Sequence, residues 1–140
     1  MTEGKLSDFY AVCDGPHREF FSTIMRDWSE IGLQRDWQDG NAVLCVRTAG
    51  RSEPIFILSP ADSSHRAQLK LPLESIRGAL GEIEVQRLQQ EFKDIHGLKI
   101  QMRNACVEIA NPGHASGPMQ QAIRNVITKL GVRLPNILAP

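Results

Sequence analysis

In the stretch "LKIQMRNACVEIA", residues 98–110, apolar and polar side chains alternate over residues 98–103, and Ala105, Val107 and Ile109 then occupy every second position. Strict alternation places every second side chain on the same face of a β-strand. A two-residue turn at Arg103-Asn104 would pair Met102 with Ala105, and the apolar side chains of both arms would then share one face. Asparagine tolerates the left-handed backbone that such a turn needs. The stretch therefore predicts an antiparallel hairpin with one buried face.

Three further strands are predicted upstream of this hairpin. Residues 42–47 and 55–58 are apolar at nearly every position, which is typical of central strands that are covered on both faces. Residues 67–71 alternate, with Gln68 and Lys70 on a solvated face. The connections between successive strands are short, and short connections favour an antiparallel meander over a parallel sheet.

Helical periodicity appears on either side of the three strands. Residues 16–31 carry an apolar stripe that begins just after Asp14, a residue that caps helix N-termini well. Residues 73–96 carry two apolar stripes that point in different directions around the helix axis. A straight helix cannot bury both stripes against one surface, so we predict a break near Gly81.

The ends of the chain have weaker patterns. A last helix is predicted to begin around Pro118 and to end before Gly131, because glycine commonly follows a helix C-terminus. Residues 132–140 contain two prolines and are predicted to form an extended tail. Residues 1–13 are compatible with either a short helix or an N-terminal arm laid on the core.

The predicted elements describe one domain, residues 1–140, with the order α-βββ-α(broken)-ββ-α. We predict an α+β fold in which helices pack on one face of a single-layer, five-stranded, mainly antiparallel sheet. This order resembles, in topology alone, small bacterial adaptor and chaperone domains built from a sheet and a helical layer. No sequence motif accompanies that resemblance, so no site residue follows from it.

Composition restricts the classes of function. Lysine plus arginine equals aspartate plus glutamate at 16 each, so the formal net charge is zero. A neutral chain argues against a dedicated nucleic-acid binder, whose affinity rests on cations meeting phosphates. The longest apolar run, residues 42–46, is far shorter than a membrane span, and no signal peptide is visible. We therefore expect a cytoplasmic protein with no membrane partner.

Familiar catalytic and metal-binding motifs are missing from the sequence. It contains no nucleophile elbow, no zinc-protease helix motif, no dinucleotide fingerprint and no Walker loop. Cys13, Cys45 and Cys106 are widely spaced, which predicts reduced structural thiols, and neither Cys nor His shows the spacing of zinc ligands. We predict no catalytic residue, no metal and no cofactor, and we favour a protein that is not an enzyme.

The loop before the last helix is the candidate ligand site. Helix N-termini expose unpaired N–H groups that attract anions, and the first turn after Ser116 contains no acidic residue. Two glycines would let a ligand approach the backbone, while a histidine and an arginine could add positive charge. An ordinary serine cap followed by proline explains the same pattern without a ligand. The residues assigned to the loop site are Gly113, His114, Ser116, Gly117 and Arg124.

Two residues outside the loop complete the candidate set. His65 lies in a loop that flanks a predicted strand, and it would join His114 if both loops emerge at the same end of the sheet. Trp37 lies in a polar, turn-rich segment, where it either plugs the end of the core or is exposed at a contact. We favour the plug for Trp37.

Three functions are compatible with these patterns. We favour a non-enzymatic interaction module that binds a protein partner or self-associates, because catalytic motifs are missing and both chain ends carry apolar residues. The first alternative is a protein, or a minor enzyme, that binds a small anion or a nucleotide-like ligand at the loop site. The second alternative is an RNA-binding module with a basic face formed by Arg47, Arg51, Arg66, Lys70, Lys99 and Arg103.

Overall fold

The computed structural model of the chain describes residues 2–62 and 66–138. These residues contain five α-helices and one short 3₁₀ turn, which precedes the last helix. The helices are α1 (Thr2–Val12), α2 (Gly15–Glu30), α3 (Leu73–Leu80), α4 (Glu82–Lys93) and α5 (Gly117–Ile137), and the 3₁₀ turn is Pro112–His114.

The same residues contain six strands, and every pair of neighbouring strands is antiparallel. Their order across the sheet is β1-β2-β3-β4-β6-β5. The α3–α4 pair therefore connects β4 to the β5–β6 hairpin, which forms one edge of the sheet. The predicted α+β fold is confirmed, with six strands where the sequence predicted five. The strands are β1 (Gln34–Gln38), β2 (Asn41–Thr48), β3 (Arg51–Ser59), β4 (Gln68–Pro72), β5 (Gln101–Arg103) and β6 (Cys106–Ala110).

β1 is the strand that sequence periodicity did not reveal. It lies at one edge of the sheet, and a two-residue turn at Asp39-Gly40 joins it to β2. Its side chains alternate between exposed and half-buried, but only Trp37 among them is apolar. A strand that pairs through its backbone and buries so little apolar surface has no apolar alternation to detect.

The core lies between the sheet and the helices. α2 buries a stripe of aromatic and aliphatic side chains against the sheet, as its periodicity predicts. Trp28 is fully buried, and its indole N–H donates to the carbonyls of Gln34 at 3.0 Å and Cys45 at 3.3 Å. Its ring meets Phe56 edge-on, with 5.7 Å between centroids. The end of α2 is thereby fixed over β1, β2 and β3.

The predicted break in the second helical region is confirmed. Gly81 separates α3 from α4 and has a φ of 95°, a conformation that favours glycine. The break gives each helix its own buried stripe. α4 is also tied to α5, because Arg133 lies 3.0 Å from the buried carboxylate of Glu84 and 3.2 Å from Glu91.

The hairpin forms, but its predicted register was wrong. The turn lies at Asn104-Ala105, both with left-handed backbone, and it pairs Arg103 with Cys106 and Met102 with Val107. A type I′ turn needs a left-handed backbone at both central positions, and here Asn104 takes the first of them. The change moves the partner of Met102 by two residues. The predicted buried face is present on β6 alone, because all three residues of β5 are exposed.

The predicted extended tail was also wrong. α5 continues through Gly131 to Ile137 and includes Pro135 in its last turns. Gly131 is a close-approach position, because a Cβ there would lie 2.5 Å from Cδ1 of Ile31. The N-terminal segment is helical, and Phe9 in α1 is buried against Phe21 and Trp37.

We expect Trp28→Phe to lower the free energy of unfolding by about 2–3 kcal/mol, because it removes the indole donor and leaves a void. Urea denaturation followed by circular dichroism measures this change. Val132→Ala is the control, since Val132 is 70% exposed and its truncation should cost less than about 0.5 kcal/mol. Equal midpoints for the two variants would contradict the role given to Trp28.

Candidate functional site

The loop between β6 and α5 lies against the first turn of α2. Asn111 has a left-handed backbone with a φ of 50°, and its N–H donates to the carbonyl of Ala67 at 2.8 Å. The chain therefore turns sharply at the end of β6, and the 3₁₀ turn brings His114 to the N-cap of α2. The rings of His17 and His114 lie 4.9 Å apart between centroids. We call Asp14, His17 and His114 the Asp14 cluster.

The carboxylate of Asp14 joins the two histidines. Its Oδ1 accepts a hydrogen bond from the backbone N–H of His17 at 2.8 Å and lies 2.9 Å from Nδ1 of the same residue. Its Oδ2 lies 2.8 Å from Nε2 of His114. The hydrogen bond with His114, followed by that from the His17 backbone, holds the pKa of Asp14 well below its usual range. Asp14 is therefore ionised at neutral pH.

His17 is held rigidly within this cluster. Its side chain is only 1% exposed, whereas Asp14 and His114 are 49% and 53% exposed. The backbone of Gly113 packs directly on its ring, and a Cβ at that position would lie 2.8 Å from Cγ and Cδ2 of His17. Among the described residues, Nε2 of His17 has no hydrogen-bond partner. The Asp14 cluster thus has one fixed imidazole and two groups that reach solvent.

The predicted cap of α5 forms, and it closes the loop on itself. Ser116 accepts a hydrogen bond from the N–H of Met119 at 3.3 Å, as an N-cap does. The side-chain amide of Gln120 donates to the carbonyls of Gly113 and Ala115 at 2.9 and 3.0 Å. Gly117 opens the helix. The loop is therefore held in place by hydrogen bonds to the first turn of α5.

Arg124 was predicted to add positive charge to the loop site, but its guanidinium faces a carboxylate instead. It pairs with Asp27 of α2, with Nε 3.0 Å from Oδ2 and a terminal nitrogen 3.3 Å from Oδ1. A cleft of about 560 Å³ between the first turns of α2 and α5 includes Arg124 and Gly117 in its lining. Because the guanidinium already faces a carboxylate, the cleft has little uncompensated positive charge.

The other two predicted residues are not brought to this cluster. Trp37 is half-buried in β1, where its ring lies 5.5 Å from that of Phe9 and 5.0 Å from the guanidinium carbon of Arg35. His65 lies outside the described residues. The structure therefore unites Gly113, His114, Ser116, Gly117 and Arg124 at one end of α2 and α5, and separates Trp37 from them.

Sequence reasoning missed Asp14 and His17 as site residues. The signal was local, because a carboxylate and an imidazole three residues apart at a helix start can reach one another. Capping alone explained Asp14, and the prediction of no metal rested on the lack of clustered Cys or His. His114 is 100 residues from Asp14, and periodicity does not report such a contact.

The three cysteines are free, as the sequence predicts, and none has the environment of a reactive thiolate. Burial raises the pKa of the Cys13 thiol to about 11, and the nearby charge of Asp14 adds to the effect. Burial also raises the pKa values of Cys45 and Cys106. Raised pKa values leave little thiolate at neutral pH, so these residues act as packing groups.

A second candidate surface lies along β5, the last strand in the sheet order. A groove of about 310 Å³ runs between α4 and the β5–β6 hairpin. Met102 is 60% exposed there, although it is a large apolar side chain. The residues that line this groove, which we call the β5 groove, are Gln89, Lys93, Leu98, Ile100, Met102 and Val107.

The chain matches no protein-family model, no curated protein and no solved structure. Within residues 2–62 and 66–138, no helix is both long enough and apolar enough to span a membrane.

We expect Gly113→Ala to lower the free energy of unfolding by about 1–3 kcal/mol, because its Cβ would overlap the His17 ring and backbone. Gly117→Ala is a matched control, since the described residues leave open space where its Cβ would go. Thermal unfolding of both variants, with the imidazole NMR signals of His17, measures the effect. If Gly113→Ala were as stable as Gly117→Ala, the packing of this loop on His17 would be wrong.

We expect iodoacetamide at pH 8 to modify half-buried Cys106 first in the native protein. Cys13 and Cys45 should react on the order of tenfold more slowly, because both are buried whereas Cys106 is partly open to the reagent. Mass spectrometry of tryptic peptides gives the three rates. Rates for Cys13 that are the same in buffer and in urea would contradict its burial.

Proposed function

We propose that this chain is a non-enzymatic binding module that takes up an extended segment of a partner protein along β5. The observation that carries the proposal is an open sheet edge beside an apolar groove. β5 is the last strand in the sheet order, and within the described residues only β6 pairs with it. An unpaired edge is a template for another strand, and many proteins bind extended peptides in this way.

The register of the hairpin indicates which backbone groups are free. In a two-residue hairpin the pair beside the turn, here Arg103 and Cys106, exchanges hydrogen bonds, and the next pair does not. Met102 belongs to that next pair, opposite Val107. Its N–H and C=O are therefore directed away from β6, where an added strand would meet them.

The surroundings of the β5 groove define the chemistry of the partner segment. Leu98, Ile100 and Met102 would receive every second side chain of an added strand. Lys93 and Lys99 are exposed, and in the part of the chain that the structure describes neither has an acidic partner within salt-bridge distance. We infer that the segment alternates apolar and acidic residues.

The alternatives have weaker support. An anion at the loop site would have to compete with the carboxylates of Asp27 and Asp14 for Arg124 and His114. Two of the basic residues proposed for RNA binding already face carboxylates, since Arg51 lies 3.7 Å from Glu53 and Arg103 lies 3.8 Å from Glu108.

Three unpaired thiols suit a reducing compartment, which supports the expected cytoplasmic location.

We expect a synthetic peptide of alternating valine and glutamate to bind the chain, and Met102→Pro to weaken that binding at least about tenfold, which is about 1.4 kcal/mol. Proline removes the outward N–H yet is tolerated at a sheet edge, so the fold should survive. Met102→Ala keeps the N–H and should retain most of the affinity. Fluorescence anisotropy with a labelled peptide gives the dissociation constants.

Two charge controls accompany this experiment. Lys99→Glu changes a residue that alternates with Leu98 and Ile100, and it should weaken binding of the valine–glutamate peptide and improve binding of a valine–lysine peptide. Lys129→Glu, on α5, should change neither. Failure of the wild-type chain to bind, or equal binding by Met102→Pro, would overturn the proposal. Light scattering that shows a dimer dissociated by Met102→Pro would identify a second copy of this chain as the occupant and overturn the choice of a separate partner.

A further inference from the structure

We propose that Asp14, His17 and His114 form a binding site for one divalent transition-metal ion of the zinc class. The inference is independent of the β5 groove, since none of the three residues lines it. Each residue offers one ligand atom, and these atoms all lie within 4.8 Å of one another.

The ligand set favours borderline metal ions over hard ones. Two imidazole nitrogens and one carboxylate oxygen are the ligands of many open zinc sites and of other first-row metal sites. Calcium and magnesium prefer sites made wholly of oxygen ligands. We therefore expect zinc, cobalt and nickel to bind, and calcium and magnesium not to bind.

The two hydrogen bonds between Asp14 and the histidines occupy the position that a metal ion would take. The Asp14 carboxylate lies 2.9 Å from Nδ1 of His17 and 2.8 Å from Nε2 of His114, so a proton lies between each pair. A bound ion replaces both protons as the positive charge between these atoms. A neutral imidazole then carries its proton on the other ring nitrogen, and an imidazolium releases one proton to solvent.

The differences in burial suit an ion-binding site. His17 is fixed by Gly113 and supplies a preorganised ligand, while the half-exposed His114 can shift to widen the site. Nε2 of His17 is buried and has no partner among the described residues, so the proton that moves to it when an ion takes Nδ1 becomes an unpaired buried donor, which lowers the affinity. The exposed sides of Asp14 and His114 leave room for water to complete the coordination.

Other features also limit the affinity. The N-terminus of α2 carries partial positive charge, which repels a cation, and Asp14 is the one carboxylate in the cluster. Three protein ligands also hold a metal less tightly than the four of a closed structural site. We expect a reversible site rather than one on which folding depends.

The test uses the full chain, without an affinity tag and after treatment with EDTA. Isothermal titration with zinc chloride should give one site per chain, and the melting temperature should rise with zinc concentration because the ion binds the folded state. His114→Ala should weaken zinc binding at least about tenfold. Asp14→Ser should do the same, although serine can still cap α2.

Matched controls separate this site from other sources of binding. His96→Ala removes another exposed histidine and should leave zinc binding unchanged, as should Met102→Pro at the β5 groove. Cobalt should give a visible spectrum of nitrogen and oxygen ligation without a thiolate charge-transfer band.

Three results would overturn the proposal. They are absence of zinc binding to the wild-type chain at millimolar concentration, unchanged binding in His114→Ala, and a thiolate band that assigns the ion to cysteine. Loss of peptide binding in Met102→Pro with retained zinc binding would show that the two surfaces act separately.

Discussion

The packing of α2 across the sheet is the constraint on which the rest of the molecule depends. Trp28 fixes one end of this helix by burying its indole ring against Phe56 and donating to two strand carbonyls. Because α2 is one continuous helix, fixing its C-terminal end also positions its N-terminal end. That end carries Asp14 and His17, and it lies where the chain leaves β6 and enters the 3₁₀ turn before α5.

Charge is distributed unevenly over a chain whose net charge is zero. Along the helical layer, carboxylates meet cations in pairs such as Asp27 with Arg124 and Glu84 with Arg133. At the Asp14 cluster one carboxylate is shared by two imidazoles, and beside β5 two lysines have no acidic partner among the described residues. These are the two places where we propose that outside groups bind, a metal ion at the first and an acidic segment at the second.

Sequence periodicity predicted the elements that bury apolar stripes. The helix ending near Ile31, the break at Gly81 and the central strands all follow from that pattern. It failed where backbone pairing or a single close contact decides the structure. β1 pairs through its backbone with little apolar surface, and Gly131 continues α5 because Ile31 packs against it, a contact that no local pattern reveals.

The same difference between local patterns and long-range contacts decides which site residues could be predicted. Ser116 and Asp14 were recognisable as caps, since capping acts over three residues. The meeting of Asp14 with His114 and the pairing of Arg124 with Asp27 depend on how α2 and α5 lie together, so the sequence indicated the loop but not its partners. The free edge at β5 likewise depends on which strand is last in the sheet.

The central claim is that β5 offers an unpaired backbone edge to a partner strand. Amide hydrogen exchange at Met102, followed by NMR, tests it most directly. We expect rapid exchange in the free chain, and protection when the valine–glutamate peptide is bound. Slow exchange in the free chain, or exchange that the peptide leaves unchanged, would contradict it.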